Sequence, residues 1–211
     1  MYPGNTKNEC LICFESLHQG MELKDFFYYN DIICSRCRGL IPFQRRKVEL
    51  RELEVESGYF YEGEIRNLLL QYKELYDEAL APIFLYPIVQ ELKKKYRDYV
   101  MVPIPSTNTK REERGFRHVE KVFSALQLPL YDELEKVEEV QQKTRSYHER
   151  FKVRFSLKNV HSLSGKKILL VDDIITTGNS MHESARLIKP YAEGIKAFSI
   201  CTHKKLLKEE L

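Results

Sequence analysis

One short segment carries the densest chemistry in the sequence: Val171-Asp172-Asp173-Ile174-Ile175-Thr176-Thr177-Gly178-Asn179-Ser180. The apolar run Ile168 to Val171 leads into two adjacent carboxylates, which leave the expected strand. Thr and Gly follow, and a helical spacing then begins at Met181, Ala185 and Ile188. Glycine lets a ligand approach the backbone, and the unpaired amides and positive dipole end of a helix favour a phosphate. The hydroxyls of Thr176, Thr177 and Ser180 add donors. Carboxylates repel phosphate, so Asp172 and Asp173 make sense only beside hydroxyl groups or a bridging cation. A phosphorylated sugar supplies that pairing. The competing reading is an N-capped helix after an acidic turn.

A second constellation lies near the amino terminus, where Cys10-Leu11-Ile12-Cys13 and Cys34-Ser35-Arg36-Cys37 are separated by twenty residues. Two residues between cysteines let both sulfurs of a tight turn reach one ion, and four thiolates complete tetrahedral zinc with no open position. The metal would therefore hold structure. Asp25 to Asp31 is apolar enough to form a short hairpin cover, yet too small to fold without the ion. A redox dithiol or plain buried cysteines are the alternatives. Cys201, in an apolar run, reads as core.

The 211 residues suit one ordinary domain, or one domain with a small appended module. Hydrophobic residues make up 43% and charged residues 31%, which excludes a disordered chain. A formal charge of +3 does not by itself demand a nucleic acid or membrane partner. No stretch approaches the roughly 18 apolar residues of a membrane span, and no basic start precedes an apolar run. A cytoplasmic protein without a membrane partner is expected.

Gly39, Pro42 and the run Gln44-Arg45-Arg46-Lys47 read as a solvated linker, dividing a zinc module at 1–45 from a second domain at 46–211. Leu53, Val55, Tyr59 and Tyr61 alternate as in a strand, and Ile65, Leu68, Leu69, Tyr72, Leu75 and Tyr76 repeat as in an amphipathic helix. Another helix is expected from Ala79 to Tyr96, kinked or interrupted by Pro82 and Pro87. A strand ending at Pro103 to Pro105 precedes a helix with Val119, Val122, Phe123 and Leu126 on one face. The acidic segment repeats that strand-loop-helix step, and Ile195 to Cys201 closes the series. Alternation of this kind predicts an α/β domain with a mostly parallel sheet, whose ligands lie outside the carboxyl ends of the strands.

Ile168 to Ser180 resembles the signature of type I phosphoribosyltransferases. The resemblance implies that Asp172 and Asp173 hold the ribose hydroxyls of 5-phosphoribosyl-1-pyrophosphate and oppose charge developing on the ring. Thr176, Thr177, Gly178, Asn179 and Ser180 would then cradle its 5-phosphate. The paired cysteines, Tyr61-Glu62-Gly63-Glu64-Ile65-Arg66, Val102-Pro103-Ile104-Pro105-Ser106 and Arg114-Gly115-Phe116 together resemble ComF-type competence proteins. Those join a zinc module to a phosphoribosyltransferase-like domain and act in uptake of transforming DNA. Ser106 and Thr107 would grip pyrophosphate, Arg114 would serve a lid, and magnesium would bridge pyrophosphate and ribose oxygens. A DNA-translocating helicase and other competence proteins are the implied partners. Arg117-His118 stands where Asn-Gln is usual in that family, and Val153 where Asn is common.

Residues 143–158 gather Lys143, Arg145, Arg150, Lys152, Arg154 and Lys158 around Tyr147, Phe151 and Phe155. Such a patch attracts phosphate backbones and stacks unpaired bases, so single-stranded DNA is a candidate partner. Arg150 equally suits the sugar-phosphate pocket. His118 and His148 are candidate proton acceptors, although a lone histidine among basic residues is more often surface. Two functions compete: transfer of phosphoribose to an unidentified nitrogen acceptor, and a non-catalytic sensor or scaffold for the DNA-uptake machinery. A DNA-binding zinc protein ranks third, because the amino-terminal module is nearly balanced in charge.

Overall fold

The computed structural model describes residues 8–17, 31–106, 112–137 and 155–206. The alternation at Leu53, Val55 and Tyr59 forms strand β2 (Leu53–Phe60), antiparallel to β1 (Arg46–Leu50) with Val48 opposite Val55. The run read as a linker therefore ends inside a strand. Arg46 and Lys47 belong to β1, and Arg45 pairs with Glu56 and Glu91. Val48 and Leu50, buried at alternate positions, pull this charged stretch onto the sheet.

Helix α1 (Ser35–Leu40) carries Cys37, and α2 (Gly63–Glu74) buries Ile65, Leu68, Leu69 and Tyr72, as their spacing predicts. The segment after Ala79 does not form one helix. A 3-10 stretch, Glu78–Phe84, contains Pro82, and α3 (Val89–Lys95) begins only after Pro87. Proline lacks the amide a continuous helix requires. Then follow β3 (Tyr99–Pro103), α4 (His118–Phe123), and the small antiparallel pair β4 (Leu134–Lys136) and β5 (Phe155–Leu157). The chain continues with β6 (Lys167–Ile175), α5 (Asn179–Ile188) and β7 (Gly194–Thr202).

The main sheet has the order β1-β2-β7-β6-β3, with every neighbouring pair parallel except β1 and β2. This is the mostly parallel α/β architecture expected. One boundary differs from expectation: Asp172 and Asp173 lie within β6. The strand continues to Ile175 because β7 supplies backbone partners along this stretch, with Ser199 beside Asp172 and Thr202 beside Ile175.

Each face of the sheet has its own apolar cluster. Leu170, Ile175 and Ala197 share a cluster with Met181 and Ile188 of α5. On the other face Leu169, Val171 and Phe198 meet residues of α2, α3 and α4. Cys10, Ile32, Ile33, Cys37 and Ile41 join that second cluster, together with Tyr59, Leu68, Phe84 and Cys201. The cysteine-bearing segment thus shares a core with the sheet domain. Asp31 accepts hydrogen bonds from Arg38 and Tyr86, adding a polar tie. Apart from Asp31, the expected hairpin cover lies outside the described residues. No helix among them is long and apolar enough to cross a membrane.

Candidate functional site

The carboxyl ends of β3, β6 and β7 converge on the segment singled out by its chemistry. Gly178 adopts a left-handed conformation (φ +75°) and caps α5 without a side-chain hydrogen bond. A Cβ at this position would also meet Leu50 at 2.6 Å, so the glycine meets both a backbone and a packing requirement. Thr176, Thr177 and Asn179 are exposed and Ser180 is half-buried. The Asn179 amide approaches Thr177 Oγ1 at 3.4 Å. Amides of the first helical turn and two exposed hydroxyls therefore face outward at the positive end of α5, which is chemistry suited to a phosphate.

The two acids have different surroundings. Consecutive strand residues project to opposite faces, and Asp172 is half-buried with Oδ1 accepting the Asp173 amide at 2.8 Å. Burial and then the negative charge of Asp173 push the Asp172 carboxyl well above its ordinary range. Asp173 is buried. Its Oδ2 receives Lys73 Nζ at 2.6 Å and His118 Nε2 at 2.7 Å. Burial alone would raise this carboxyl, but the His118 hydrogen bond and the Lys73 ammonium overcome it and hold it well below the usual carboxylate range.

His118 Nδ1 in turn lies 2.8 Å from Arg114 Nη1. Arginine can only donate, so Nδ1 accepts and the proton sits on Nε2, directed at Asp173. The ring is neutral. Burial lowers its pKa, against the pull of Asp173. Arg114, 7% exposed, also donates from Nε to the Lys73 carbonyl at 2.9 Å. The candidate lid arginine is therefore engaged inside the protein. Lys73 was not legible as a site residue, because its place in an amphipathic helix gives no sign of a partner on β6. His118 was visible as a titratable group, but its burial depends on the tertiary fold.

Ser106 is half-buried just beyond β3, where the Ile104 amide bonds to Val171 O at 2.9 Å and joins the two strand ends. Thr107 and Arg150 lie outside the described residues, as does most of the basic patch. Of its described members, Phe155 is buried in the core and Lys158 pairs with Asp132 at 3.1 Å. Phe155 is thus packing and not a stacking platform.

The four cysteine sulfurs lie within 4.8 Å of one another, with Cys13 and Cys34 at 3.7 Å. Tetrahedral zinc with bonds of about 2.3 Å needs sulfurs about 3.8 Å apart, so this arrangement fits the ion. The Ile12 and Cys34 amides point at Cys10 Sγ (3.4 and 3.3 Å), and the Cys37 amide at Cys34 Sγ (3.5 Å). Although burial raises the Cys10 thiol, surrounding amides bring it down to about 7, whereas burial and the neighbouring thiols push Cys13 and Cys37 up. Cys10, Cys13, Cys34 and Cys37 can therefore hold one structural zinc.

Residues 112–210 match the phosphoribosyl transferase domain family. A competence protein ComFC from Streptococcus pneumoniae (strain ATCC BAA-255 / R6) is 32% identical over 145 residues, covering 67% of this chain and 65% of that protein. A ComFC from Bacillus subtilis (strain 168) is 29% identical over 150 residues, covering 68% of this chain and 62% of that one. The chain thus spans slightly less than two thirds of the length of these curated relatives. Among solved structures, a hypoxanthine phosphoribosyltransferase from Trypanosoma cruzi aligns over 63% of this chain and 86% of its own, at TM-score 0.41 and 13% identity. That likeness is too slight to carry an argument. The fold and the matched segment define a protein with a type I phosphoribosyltransferase-like domain. With its four-cysteine centre, the chain is similar to ComFC-type competence proteins over about two thirds of its length.

Proposed function

We propose that this protein binds 5-phosphoribosyl-1-pyrophosphate at the carboxyl end of its parallel sheet and acts in competence, the uptake of transforming DNA. The observation that carries the reading is the left-handed Gly178, which opens α5 six residues beyond the half-buried Asp172. The 5-phosphate would rest on the amides and hydroxyls of 176–180, the ribose hydroxyls on Asp172, and the pyrophosphate toward Ser106. Magnesium would arrive on the oxygens of the ligand, neutralising its pyrophosphate. Zinc would occupy the cysteine centre as a structural ion. The role in DNA uptake, with a translocating helicase and other competence proteins as partners, rests on kinship with ComFC.

Transfer of phosphoribose to a nitrogen acceptor, with release of pyrophosphate, is the catalytic form of this reading. One observation favours the non-catalytic form, a sensor or scaffold. His118 is neutral, with one nitrogen capped by Arg114 and the other donating to Asp173. It is unavailable as a base. Calorimetry with the pyrophosphate ligand and magnesium tests the pocket, using native protein and Asp172→Asn. Tight binding by the native chain and at least about tenfold weakening in the variant are expected. No binding by the native chain would overturn the proposal. Where binding holds, pyrophosphate release across a panel of bases and amines separates transferase from sensor.

A further inference from the structure

We infer that the protein carries a second small-molecule site, for a neutral amino-bearing nitrogen heterocycle of the nucleobase kind, in a cleft between the segment leaving the cysteine centre and the carboxyl end of β2. The segment Tyr61-Glu62-Gly63-Glu64-Ile65-Arg66 lies outside the phosphate turn and the paired acids. Its residues Glu62 to Ile65 instead line a cavity of about 250 Å³, at the end of a strand two places from β6 in the sheet. A cavity of about 150 Å³ already admits a benzene ring, so this one holds a ring with its substituents. Leu40, Ile41 and Pro42 give it an apolar lining from one segment, and Tyr59 and Phe60 an aromatic lining from β2, which suits the faces of a flat ligand. The inference does not depend on the phosphoribose reading.

The polar groups specify what the ring must carry. Tyr59 is 2% exposed, its ring meets Phe43 edge-on with centroids 5.5 Å apart, and its hydroxyl has no hydrogen-bond partner among the described residues. Burial pushes this hydroxyl above its ordinary range, so it keeps its proton and can donate. A buried donor without a partner is costly, and a ring nitrogen of a ligand would relieve it. The other polar lining groups are the carboxylates of Glu62 and Glu64 and the carboxamide of Gln44. Each is held by a neighbour: Glu62 by Lys204 at 2.7 Å, Glu64 by Asn67 at 3.3 Å, and Gln44 by Arg46. Carboxylates accept several hydrogen bonds at once, so both glutamates stay open to the amino protons of a ligand. Among the described lining residues there is no lysine or arginine, so a phosphate would meet two charges of its own sign. A ring acceptor, amino donors, flat apolar faces and no anionic group together describe an aminopurine or aminopyrimidine.

Isoleucine methyl spectra of the full-length protein, titrated with adenine and in parallel with hypoxanthine, test the site. Adenine should give saturable shifts at Ile41 and Ile65, which line the cleft. Hypoxanthine, with a carbonyl oxygen in place of the amino group, should bind at least about tenfold more weakly. Tyr59→Phe should lower adenine affinity about fivefold while melting at or above the native temperature, since an unpartnered hydroxyl contributes nothing to the free fold. Saturating pyrophosphate ligand with magnesium should leave the adenine titration unchanged. Absence of saturable shifts at Ile41 and Ile65 overturns the inference, as does equal affinity for hypoxanthine. Native adenine affinity in Tyr59→Phe, or a melting temperature well below native in that variant, overturns it too. Displacement of adenine by the pyrophosphate ligand would place adenine in the phosphoribose pocket and sink the second site. The adenine titration needs no pyrophosphate ligand, so failure of the phosphoribose pocket in its own test does not bear on this result.

Discussion

The side chain of Leu50, at the end of β1, reaches to 2.6 Å from the point where a Cβ on Gly178 would stand. An edge strand thus enforces the bare backbone of the phosphate turn. Gly178→Ala would combine a left-handed alanine, costing about 1 kcal/mol, with a collision that the flexible leucine only partly relieves. The expected loss is about 1–3 kcal/mol in urea unfolding. Leu50→Ala in the same chain should remove the collision without curing the backbone strain. A Gly178→Ala protein as stable as native would show that the turn does not hold this conformation.

Lys73 and Asp173 offer a double-mutant cycle. Breaking one side of a buried pair costs about 3–5 kcal/mol, because the remaining charge is stranded. Lys73→Met and Asp173→Asn should each be severely destabilised, and the double variant should lose much less than their sum. Strict additivity would mean that the two charges do not depend on each other.

Acidification should weaken the fold in two stages. Burial lowers the His118 pKa, so the unfolded chain, at about 6.5, takes up its proton first. That contribution is present above about 6.5 and is lost as pH falls through the lower folded value. Asp173, held low by His118 and Lys73 against the effect of burial, contributes above about 3.9 and loses it as pH falls further. Urea midpoints from pH 8 to 4 should show the upper step in the native chain and not in His118→Gln. Persistence of that step in the variant would assign it to another group.

Asp172 works in the opposite sense. Its carboxyl is raised by burial and by Asp173, so the folded state loses stability as pH rises above the unfolded value of about 3.9. Asp172→Asn should therefore melt at a higher temperature than native at pH 7 while binding the sugar-phosphate ligand more weakly, a trade common at binding sites. A variant weakened in both respects would point to a structural duty for this acid.

Metal analysis should return about one zinc per chain. The cysteine segment shares its apolar cluster with Tyr59, Leu68 and Phe84, so chelation or Cys37→Ser should lower the melting temperature of the whole protein. A separate early transition, with the main one unmoved, would mean that the shared core contributes little.

The elements of the sheet domain were legible wherever apolar period and punctuation agreed. Ile65, Leu68, Leu69 and Tyr72 marked α2, and Ile168 to Val171 marked the start of β6. The cysteine centre was legible because metal ligation constrains local spacing. The continuation of β6 through the acids was not, since only pairing with Ser199 and Thr202 draws them into the strand. Nor was β1, whose Arg46 and Lys47 suggested solvent while Val48 and Leu50 settled the matter through burial against β2 and the Gly178 turn. The set of contacts around Asp173 was hidden for the same reason: Lys73 and His118 acquire meaning only when α2 and α4 pack on one face of the sheet.

The sheet order also sets a schedule for synthesis. β2 has no parallel neighbour except β7, whose Ala197 lies beside Val55 and whose other edge carries β6. A ribosome making this chain releases β2 long before its partner, so the hairpin of β1 and β2 must wait at an open edge until β7 emerges to join the two halves. Lys73 waits likewise for its counter-charge. Chaperone dependence during translation should accordingly be greatest just before β7 leaves the exit tunnel.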